Sequence, residues 1–147
     1  MYLFFDTETT GIPRNYKAAV SDLQNWPRLV QLAWLLIDDE AHEVASAEYI
    51  ARPVGFTIPV DAARIHGITT EIAAAKGVDI GTILDAVMPD IGKASVLVAH
   101  NMSFDEKILG AELLRAGRPN VVESRKRQCT MQGATDYCCL PGQYGYK

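Results

Sequence analysis

The order of apolar segments along the chain predicts an α/β protein, with a mixed sheet and helices packed on its faces. Three strand-like segments with short connections come first, which indicates an antiparallel meander. Helical patterns follow, and a strand–helix–strand unit comes after them. The chain has 147 residues, of which 48% are hydrophobic and 22% charged. We therefore expect residues 1–147 to form one domain with its own core.

Apolar runs bounded by turn residues predict the first three strands. Residues 1–5 are apolar and aromatic, and Thr10-Gly11 is the break signal downstream of them. Residues 29–38 form a nearly continuous apolar run, which is typical of a strand buried on both faces. Residues 43–51 alternate enough to be the returning strand.

Capping residues mark three helices in the middle of the chain. Residues 60–65 predict a short helix that ends at Gly67. Thr69 is expected to cap the second helix, and Asp79 the third. Pro89 should kink or end the third helix, because proline lacks the backbone donor and its ring clashes with the preceding turn.

A second strand–helix pattern follows. Residues 95–99 are typical of a buried strand. Ser103 and Glu106 have the spacing of a capping box, so we expect Ser103 to be the N-cap of a helix that ends near Gly117. The remaining assignments are a strand within residues 121–129, a short helix over residues 131–139 and a loop from Leu140 onward.

Asp6 and Glu8 form the first candidate site. If the first strand runs through them, their side chains leave by the same face, because side chains in a strand alternate. Two converging carboxylates are costly unless a cation or proton neutralises them. Hard oxygen ligands of this kind suit Mg²⁺ or Mn²⁺. The alternative is a solvated acidic turn after a strand.

The second candidate site runs from His100 to Asp105. It lies where the buried strand turns into the capped helix, and active groups in α/β sheets commonly lie at such strand ends. Asp105 falls in the first helical turn, where the macrodipole favours an anion. The alternative is structural: Asp105 is then a good N-terminal helix residue, while His100 and Asn101 bind loop backbone groups.

These two sites together resemble motifs I and II of the DEDD 3′–5′ exonucleases. The first is Asp6-Thr7-Glu8-Thr9-Thr10-Gly11, and the second, His100-Asn101-x-x-Phe104-Asp105, is similar to the DEDDh branch. That branch includes the proofreading epsilon subunit of bacterial DNA polymerase III and ribonuclease T. An Arg64-x-His66-Gly67-Ile68-Thr69 element lies between the motifs, as in proofreading-type members. The resemblance implies a ribonuclease H-like fold with a three-strand meander, parallel strands and flanking helices.

The resemblance also implies chemistry. Such enzymes remove nucleoside 5′-monophosphates from the 3′ end of DNA or RNA with two divalent ions, Mg²⁺ or Mn²⁺. Asp6 would bridge the ions, Glu8 would ligate one and orient the attacking water, and Asp105 would hold the other. Further candidate substrate-binding positions are Thr9, Thr10, Gly11, His66, Asn101 and Phe104. The alternative for His66 is a capping or core histidine, and the alternative for Phe104 is packing beneath Asp105. A DNA polymerase subunit is an expected partner.

The third motif of that family, His-x-x-x-x-Asp on a later helix, has no counterpart here, because no histidine follows His100. It would supply a general base and a fourth metal ligand. We therefore expect a chain truncated before its final helix and impaired in activity, unless a partner chain supplies the group. Without that helix, an apolar patch is expected near the strands that hold Leu32 or Leu97, with a homodimer as one outcome.

Charge, hydrophobicity and cysteine content limit the possible functions of the chain. The formal charge of −4 argues against a protein that coats nucleic acid nonspecifically. No apolar stretch approaches a membrane span, and no secretion signal is recognised at the N-terminus. The three cysteines lack zinc-ligand spacing, which favours reduced thiols and the cytoplasm. Two further functions stay open: a noncatalytic domain that binds nucleic-acid ends or a polymerase, and another type of nuclease or metal-binding domain.

Overall fold

The computed structural model describes residues 1–139, 141–142 and 145–146. It contains a five-stranded mixed sheet with strand order β3-β2-β1-β4-β5. The first three strands form the predicted antiparallel meander, while β4 runs parallel to β1 and β5 parallel to β4. The strands are β1 (Tyr2–Thr9), β2 (Leu29–Ile37), β3 (Glu43–Ile50), β4 (Val96–Ala99) and β5 (Lys126–Cys129).

Five helices connect or flank these strands. They are α1 (Val60–His66), α2 (Thr70–Lys76), α3 (Ile80–Lys93), α4 (Met102–Arg115) and α5 (Thr130–Cys138). In the predicted terminal loop, Pro141–Gly142 pairs with Gly145–Tyr146, and the rest of that prediction (Leu140, Gln143, Tyr144, Lys147) lies outside the described residues. Across the part of the chain that the structure describes, no helix is both long and apolar enough to cross a bilayer.

The main core lies between one face of the sheet and helices α3 and α4. Strand alternation turns Leu3 and Phe5 of β1 towards the helices, together with Leu32 and Trp34 of β2. Each such side chain contributes about 1.5–3 kcal/mol when fully buried. The Trp34 indole N–H also donates to Asp90 Oδ2 on α3 at 3.0 Å, which fixes this helix against the sheet.

A second, smaller core joins α1 and α2 to the end of the meander. It consists of Val30, Ile58, Ala62, Ile68 and Ala73, with Ile50 packed against it. The helix caps follow the predictions: Gly67 takes φ 78°, and Thr69 Oγ1 accepts from the N–H of Ile72. At Gly77 a Cβ atom would lie 2.3 Å from the Ala73 carbonyl oxygen, so only glycine fits where α2 meets the sheet edge.

Residues 11–28 form a long connection that α4 holds down from the side. Glu112 on α4 is 1% exposed, and its Oε1 accepts from Arg28 Nε at 2.8 Å and from the N–H of Leu29 at 3.1 Å. Arg115 donates to the same oxygen at 2.8 Å and to the carbonyl oxygens of Leu23 and Trp26. These contacts fix the entry into β2.

Two local features differ from the predictions: Pro89 does not end α3, and Ser103 is not the N-cap of α4. Pro89 lies inside α3, which continues to Lys93, because the fully buried Val87 and Ile91 on either side keep this segment packed on the core. Ser103 is not the N-cap of α4: the helix begins at Met102, with Asn101 in the cap position.

The expected capping box does not form because both of its side chains have other partners. The Ser103 hydroxyl donates to Asn101 Oδ1 at 3.3 Å. Glu106 accepts from Arg127 on β5 at 2.6 Å. The last strand is also shorter than the candidate range, because residues 121–124 form turns before β5 begins at Lys126.

The other face of the sheet carries exposed apolar side chains. Leu32 and Leu97 are fully buried under the helices, so the patch expected near their strands lies on the opposite face. There, Tyr2 is 42% and Phe4 39% exposed, and Leu35 and Val98 pair with Phe4 across the neighbouring strands. We call this surface the open face.

Candidate active site

Asp6 and Glu8 project from β1 on the open face. Their strand neighbours Thr7 and Thr9 are buried on the helix side, while Asp6 is exposed and Glu8 half-buried. This alternation is the one predicted from the sequence. Neither carboxylate forms a salt bridge with any described residue.

Asp105 approaches β1 from the first turn of α4 and is 3% exposed. Its Oδ1 accepts two hydrogen bonds from Thr7, one from the hydroxyl at 2.6 Å and one from the backbone N–H at 3.1 Å. No hydrogen bond from a described residue reaches Oδ2. Thr7 stands between Asp6 and Glu8 in the chain, so this contact ties the second motif directly to the first.

The acidic groups perturb one another. The pKa of Asp105 is raised to about 6, chiefly by burial and also by the negative charge of Asp6, and the Thr7 hydrogen bonds partly offset both effects. Burial also raises the pKa of Glu8, with a contribution from Asp6, while the nearby His66 lowers it. Neighbouring carboxylates without a salt-bridge partner are the surroundings in which a cation is bound.

The three carboxylates are not gathered around one point. Among the described residues, the one group of three potential ligands whose atoms all lie within 4.8 Å of each other is Asp38, Glu40 and His42. That group closes the β2–β3 turn, where Asp38 Oδ1 accepts from the N–H groups of Glu40 and His42.

The turn after β1 is closed by its own hydroxyl groups. Thr9 Oγ1 donates to the Gly11 carbonyl oxygen at 2.6 Å, and Thr10 Oγ1 accepts from the N–H of Arg28 at 3.0 Å. Gly11 has φ 146°, a conformation that favours glycine. The Thr9 hydroxyl proton is therefore committed, and its oxygen can act only as an acceptor towards an added group.

The loop after β4 brings His100 beside Asp6. A cleft of about 420 Å³ on the open face is lined by Phe4, Asp6, Leu35, Val98, His100 and Thr130, among others. His100 Nδ1 lies 3.1 Å from Thr130 Oγ1. Asn101 adopts the left-handed conformation with φ 68°, and the partly buried Phe104 packs against the main core.

His66 lies at the end of α1, on the other side of Glu8. Its Nδ1 accepts from the N–H of Ile68 at 3.1 Å, and its Nε2 is buried without a hydrogen-bond partner in the described part of the chain. Of the basic residues near the motifs, Lys107 donates to the Tyr16 carbonyl oxygen and Arg64 pairs with Asp61.

Sequence reasoning missed two residues that shape this site. No role was predicted for Thr7, although a hydroxyl residue between two carboxylates on the buried side of a strand is a usable signal. Glu112 gave no signal, because its partners Arg28 and Leu29 are more than eighty positions away along the chain.

Comparison with known proteins adds a family and a fold. A family model described as "Exonuclease" matches residues 3–139. Escherichia coli exonuclease I in complex with a dT13 oligonucleotide has a similar structure, with a TM-score of 0.74 and 19% identity, covering 99% of this chain and 33% of that one. Exonuclease I from Methylocaldum szegediense gives a TM-score of 0.74 at 18% identity, covering 97% and 30%.

The chain thus spans about a third of the length of these solved structures. No curated protein matches it. At these identities the structural likeness shows the fold, and the predicted ribonuclease H-like architecture is confirmed.

Proposed function

Because the chain belongs to the exonuclease family, we propose that it is a metal-dependent 3′–5′ exonuclease. It hydrolyses the terminal phosphodiester bond of DNA or RNA and releases a nucleoside 5′-monophosphate. The observation that carries this proposal is the contact between Asp105 and Thr7, which joins the second acidic motif to the Asp6–Glu8 strand.

The residues present fit divalent ions such as Mg²⁺ or Mn²⁺. All three side chains offer hard oxygen ligands, no basic side chain neutralises them in the described part of the chain, and Asp105 keeps Oδ2 without a hydrogen bond. Asp6 would bridge two ions, with Glu8 on one and Asp105 on the other. Bound ions of this kind stabilise charge on the attacking and leaving oxygens of phosphoryl transfer.

The chain's own residues position the substrate. The Thr9 oxygen and the backbone of Thr10 and Gly11 accept and orient the terminal 3′-hydroxyl, which selects a free end over an internal bond. His66 and Asn101 border the path of the last nucleotides from either side of β1. Phe104 supports Asp105 from the core. Among possible substrates, single-stranded DNA is a sound first choice, since exonuclease I was solved with such an oligonucleotide.

We expect the 147-residue chain to turn over slowly. No histidine follows His100 in the sequence, so the general base of the third motif has no counterpart. A missing general base typically costs about 10²–10⁴ in rate. The second candidate is a noncatalytic domain that binds nucleic-acid ends or a polymerase subunit. We further propose a cytoplasmic location for this chain, whose three cysteines are free thiols.

The decisive experiment follows a 5′-labelled oligonucleotide in the presence of Mn²⁺. We expect stepwise shortening from the 3′ end, abolished in Asp6→Asn and by a 3′-phosphate block. Asp38→Asn is the matched control, because it alters the other acidic cluster and should leave activity unchanged. Binding without shortening would instead support the noncatalytic candidate, and cleavage of blocked ends would contradict exonuclease specificity.

A further inference from the structure

A pocket of about 540 Å³ adjoins the Thr9–Gly11 turn and is separate from the cleft beside Asp6. Thr10 belongs to the turn and also lines the pocket. Arg28, Arg115 and Phe56 are further parts of its wall, and none of the residues that line it carries a carboxylate. The chemistry proposed for the acidic residues leaves this pocket unused.

The pocket has a surplus of positive charge. Both arginines pair with the same carboxylate, since Arg28 Nε and Arg115 Nη1 each lie 2.8 Å from Glu112 Oε1. Neither arginine forms another salt bridge with a described residue. Guanidinium groups stay protonated in proteins. Two such charges against a single carboxylate therefore leave the cluster with a net positive charge, which favours a further anion.

Arg28 keeps a hydrogen-bond donor for that anion. Its Nε and Nη2 donate to Glu112, and its guanidinium carbon lies 4.5 Å from the centre of the Phe56 ring. Its Nη1 forms no hydrogen bond with any described residue, and the side chain is 32% exposed. A guanidinium group held in this way loses little conformational freedom when it binds an anion, because it is already oriented.

The backbone of Arg28 joins the pocket to the turn after β1. The N–H of Arg28 donates to Thr10 Oγ1 at 3.0 Å, and its carbonyl oxygen accepts from the N–H of Thr10 at 3.0 Å. The turn that orients the terminal 3′-hydroxyl in the proposed function is therefore fixed directly to the arginine of the pocket. A strand whose 3′ end lies at this turn carries its preceding phosphates close to that arginine.

We propose that this pocket binds an internal phosphate of the substrate strand, upstream of the 3′-terminal nucleotide, with Arg28 Nη1 as the donor and Arg115 adding positive charge. The inference rests on the proposed function for the identity of the strand. Contacts to phosphate position a nucleic acid without reading its sequence. The pocket thus fixes the register of the strand on the enzyme, and its contribution to affinity requires no metal ion.

Gln24 provides a test that leaves the charged cluster intact. Replacing Arg28 itself would deprive the buried Glu112 of a partner, whereas Gln24 is exposed and lines the pocket. Gln24→Glu supplies a second carboxylate to the pocket, and Gln24→Lys adds a positive charge. Thr82→Glu and Thr82→Lys make the same changes of charge at an exposed position of α3 and serve as matched controls.

The measurement is the fluorescence anisotropy of a 5′-labelled single-stranded oligothymidylate in the presence of a chelator. Without divalent ions the strand is not cleaved, and the affinity reports contacts that the ions do not mediate. Titrations at several salt concentrations count the phosphate contacts, because each one contributes to the slope of log affinity against log salt. Thermal unfolding checks that every variant is folded.

We expect Gln24→Glu to weaken binding about tenfold, because a carboxylate in the pocket competes with the phosphate for the guanidinium. The salt dependence should become less steep by about 0.7, which corresponds to one phosphate of a single strand. Gln24→Lys should tighten binding, and the two Thr82 variants should differ from the wild type by less than about twofold. Equal effects at Gln24 and Thr82, or a wild-type chain that does not bind the strand, overturn the inference.

A series of oligonucleotides locates the contact. In each member one phosphate near the 3′ end is replaced by an uncharged methylphosphonate. We expect the effect of Gln24→Glu to disappear for one internal position and to persist for the others. A series without such a position overturns the inference, and competition by inorganic phosphate in that case would assign the pocket to a free anion instead.

The proposed function fails by a different observation. A chain that binds the strand with this dependence on Gln24 but shortens no oligonucleotide in Mn²⁺ is not an exonuclease, while the phosphate pocket stands. A chain that shortens the strand in an Asp6-dependent manner, but binds it equally in both Gln24 variants, retains the proposed function and loses the pocket.

Discussion

At the scale of single residues, Asp105 shows how a carboxylate is kept ready for a cation. It is nearly inaccessible to solvent, yet only one of its oxygens is hydrogen-bonded, and both bonds come from Thr7. The folded chain therefore bears part of the cost of a buried charge. A bound divalent ion would offset this cost, which couples ion binding to the stability of the fold.

The cost of burying the Asp105 carboxylate should be measurable as a pH dependence of stability in the metal-free chain. The pKa of Asp105 is raised from 3.8 to about 6 by folding, so the folded chain binds this proton more tightly than the unfolded chain. The contribution of Asp105 to stability is then greatest below about pH 4, falls as the pH rises to about 6, and levels off above it. Asp105→Asn should remove this loss and raise the free energy of unfolding at neutral pH by up to about 3 kcal/mol.

Urea unfolding in the presence of a chelator, at a series of pH values, measures this effect. A smaller slope should remain in the variant, because the pKa of Glu8 is raised as well. Asp61→Asn, on the exposed side of α1, is the control and should leave the profile unchanged. Parallel profiles for the wild type and Asp105→Asn would contradict the pKa of Asp105.

The sequence predicted the parts of this site that depend on local periodicity. Alternation in a strand was enough to place Asp6 and Glu8 on one face. Thr7 and Asp105 are 98 positions apart along the chain, and the parallel pairing of β1 with β4 brings them together. No local pattern encodes such a contact, so the donor of the buried carboxylate could not be identified in advance.

At the scale of elements, α4 does more than cover the sheet. Its N-terminal turn carries Asp105, and about two turns later Glu112 holds Arg28 and Arg115 in a buried cluster. Arg28 also exchanges hydrogen bonds with Thr10 through its backbone and lies over the Phe56 ring at 4.5 Å. The position of the Thr9–Gly11 turn therefore depends on the far end of this helix.

Breaking this cluster should loosen the connection formed by residues 11–28. Glu112→Gln keeps an oxygen for the Leu29 N–H but leaves two largely buried arginines without an anion, which typically costs about 3–5 kcal/mol. Urea unfolding measures the loss. Trypsin should also cut at Arg14 and Lys17 sooner than in the wild type.

A matched ion pair on the surface provides the control for this prediction. Asp61→Asn breaks the exposed pair with Arg64 and should change stability by less than about 1 kcal/mol. If Glu112→Gln and Asp61→Asn lowered the free energy of unfolding equally, the buried ion pairs of Glu112 would contribute no more to stability than the exposed pair.

Helix boundaries were predicted correctly where the capping group is close in sequence. They were predicted wrongly where a contact with a distant part of the chain determines the boundary. Thr69 and Gly67 act within their own turns, so their spacing was sufficient. Ser103 has a proper capping spacing, but Arg127 of β5 takes the glutamate that the box requires. Pro89 should break a helix by its own geometry, and only the burial of its neighbours in the core keeps α3 continuous.

At the scale of the whole molecule, the sheet is covered unequally. Both long helices lie on one face, and the open face carries aromatic side chains next to the proposed catalytic cleft. Exposed apolar patches of this kind often mark contact surfaces. Among the partners expected from the sequence, a second copy of the chain is the simplest to test.

We expect the isolated chain to self-associate through the open face. Phe4→Ser should shift sedimentation towards the monomer, because it removes an exposed aromatic ring that lines the cleft. Val54→Ser is the control: Val54 is 67% exposed but lies in the segment after β3, so its removal should leave association unchanged. A wild-type chain that sediments as a monomer at all concentrations would contradict the homodimer.

The two tryptophans lie at different contacts between structural elements. Trp34 is bonded to α3 through Asp90, whereas Trp26 lies in the long connection, with its indole N–H on the Ala19 carbonyl oxygen and Lys107 over its ring at 5.0 Å. Intrinsic fluorescence therefore carries two separable signals. With Trp26→Phe, emission would follow the docking of α3 alone, and with Trp34→Phe it would follow the connection, so the order in which the two come apart on denaturation becomes visible without any added label.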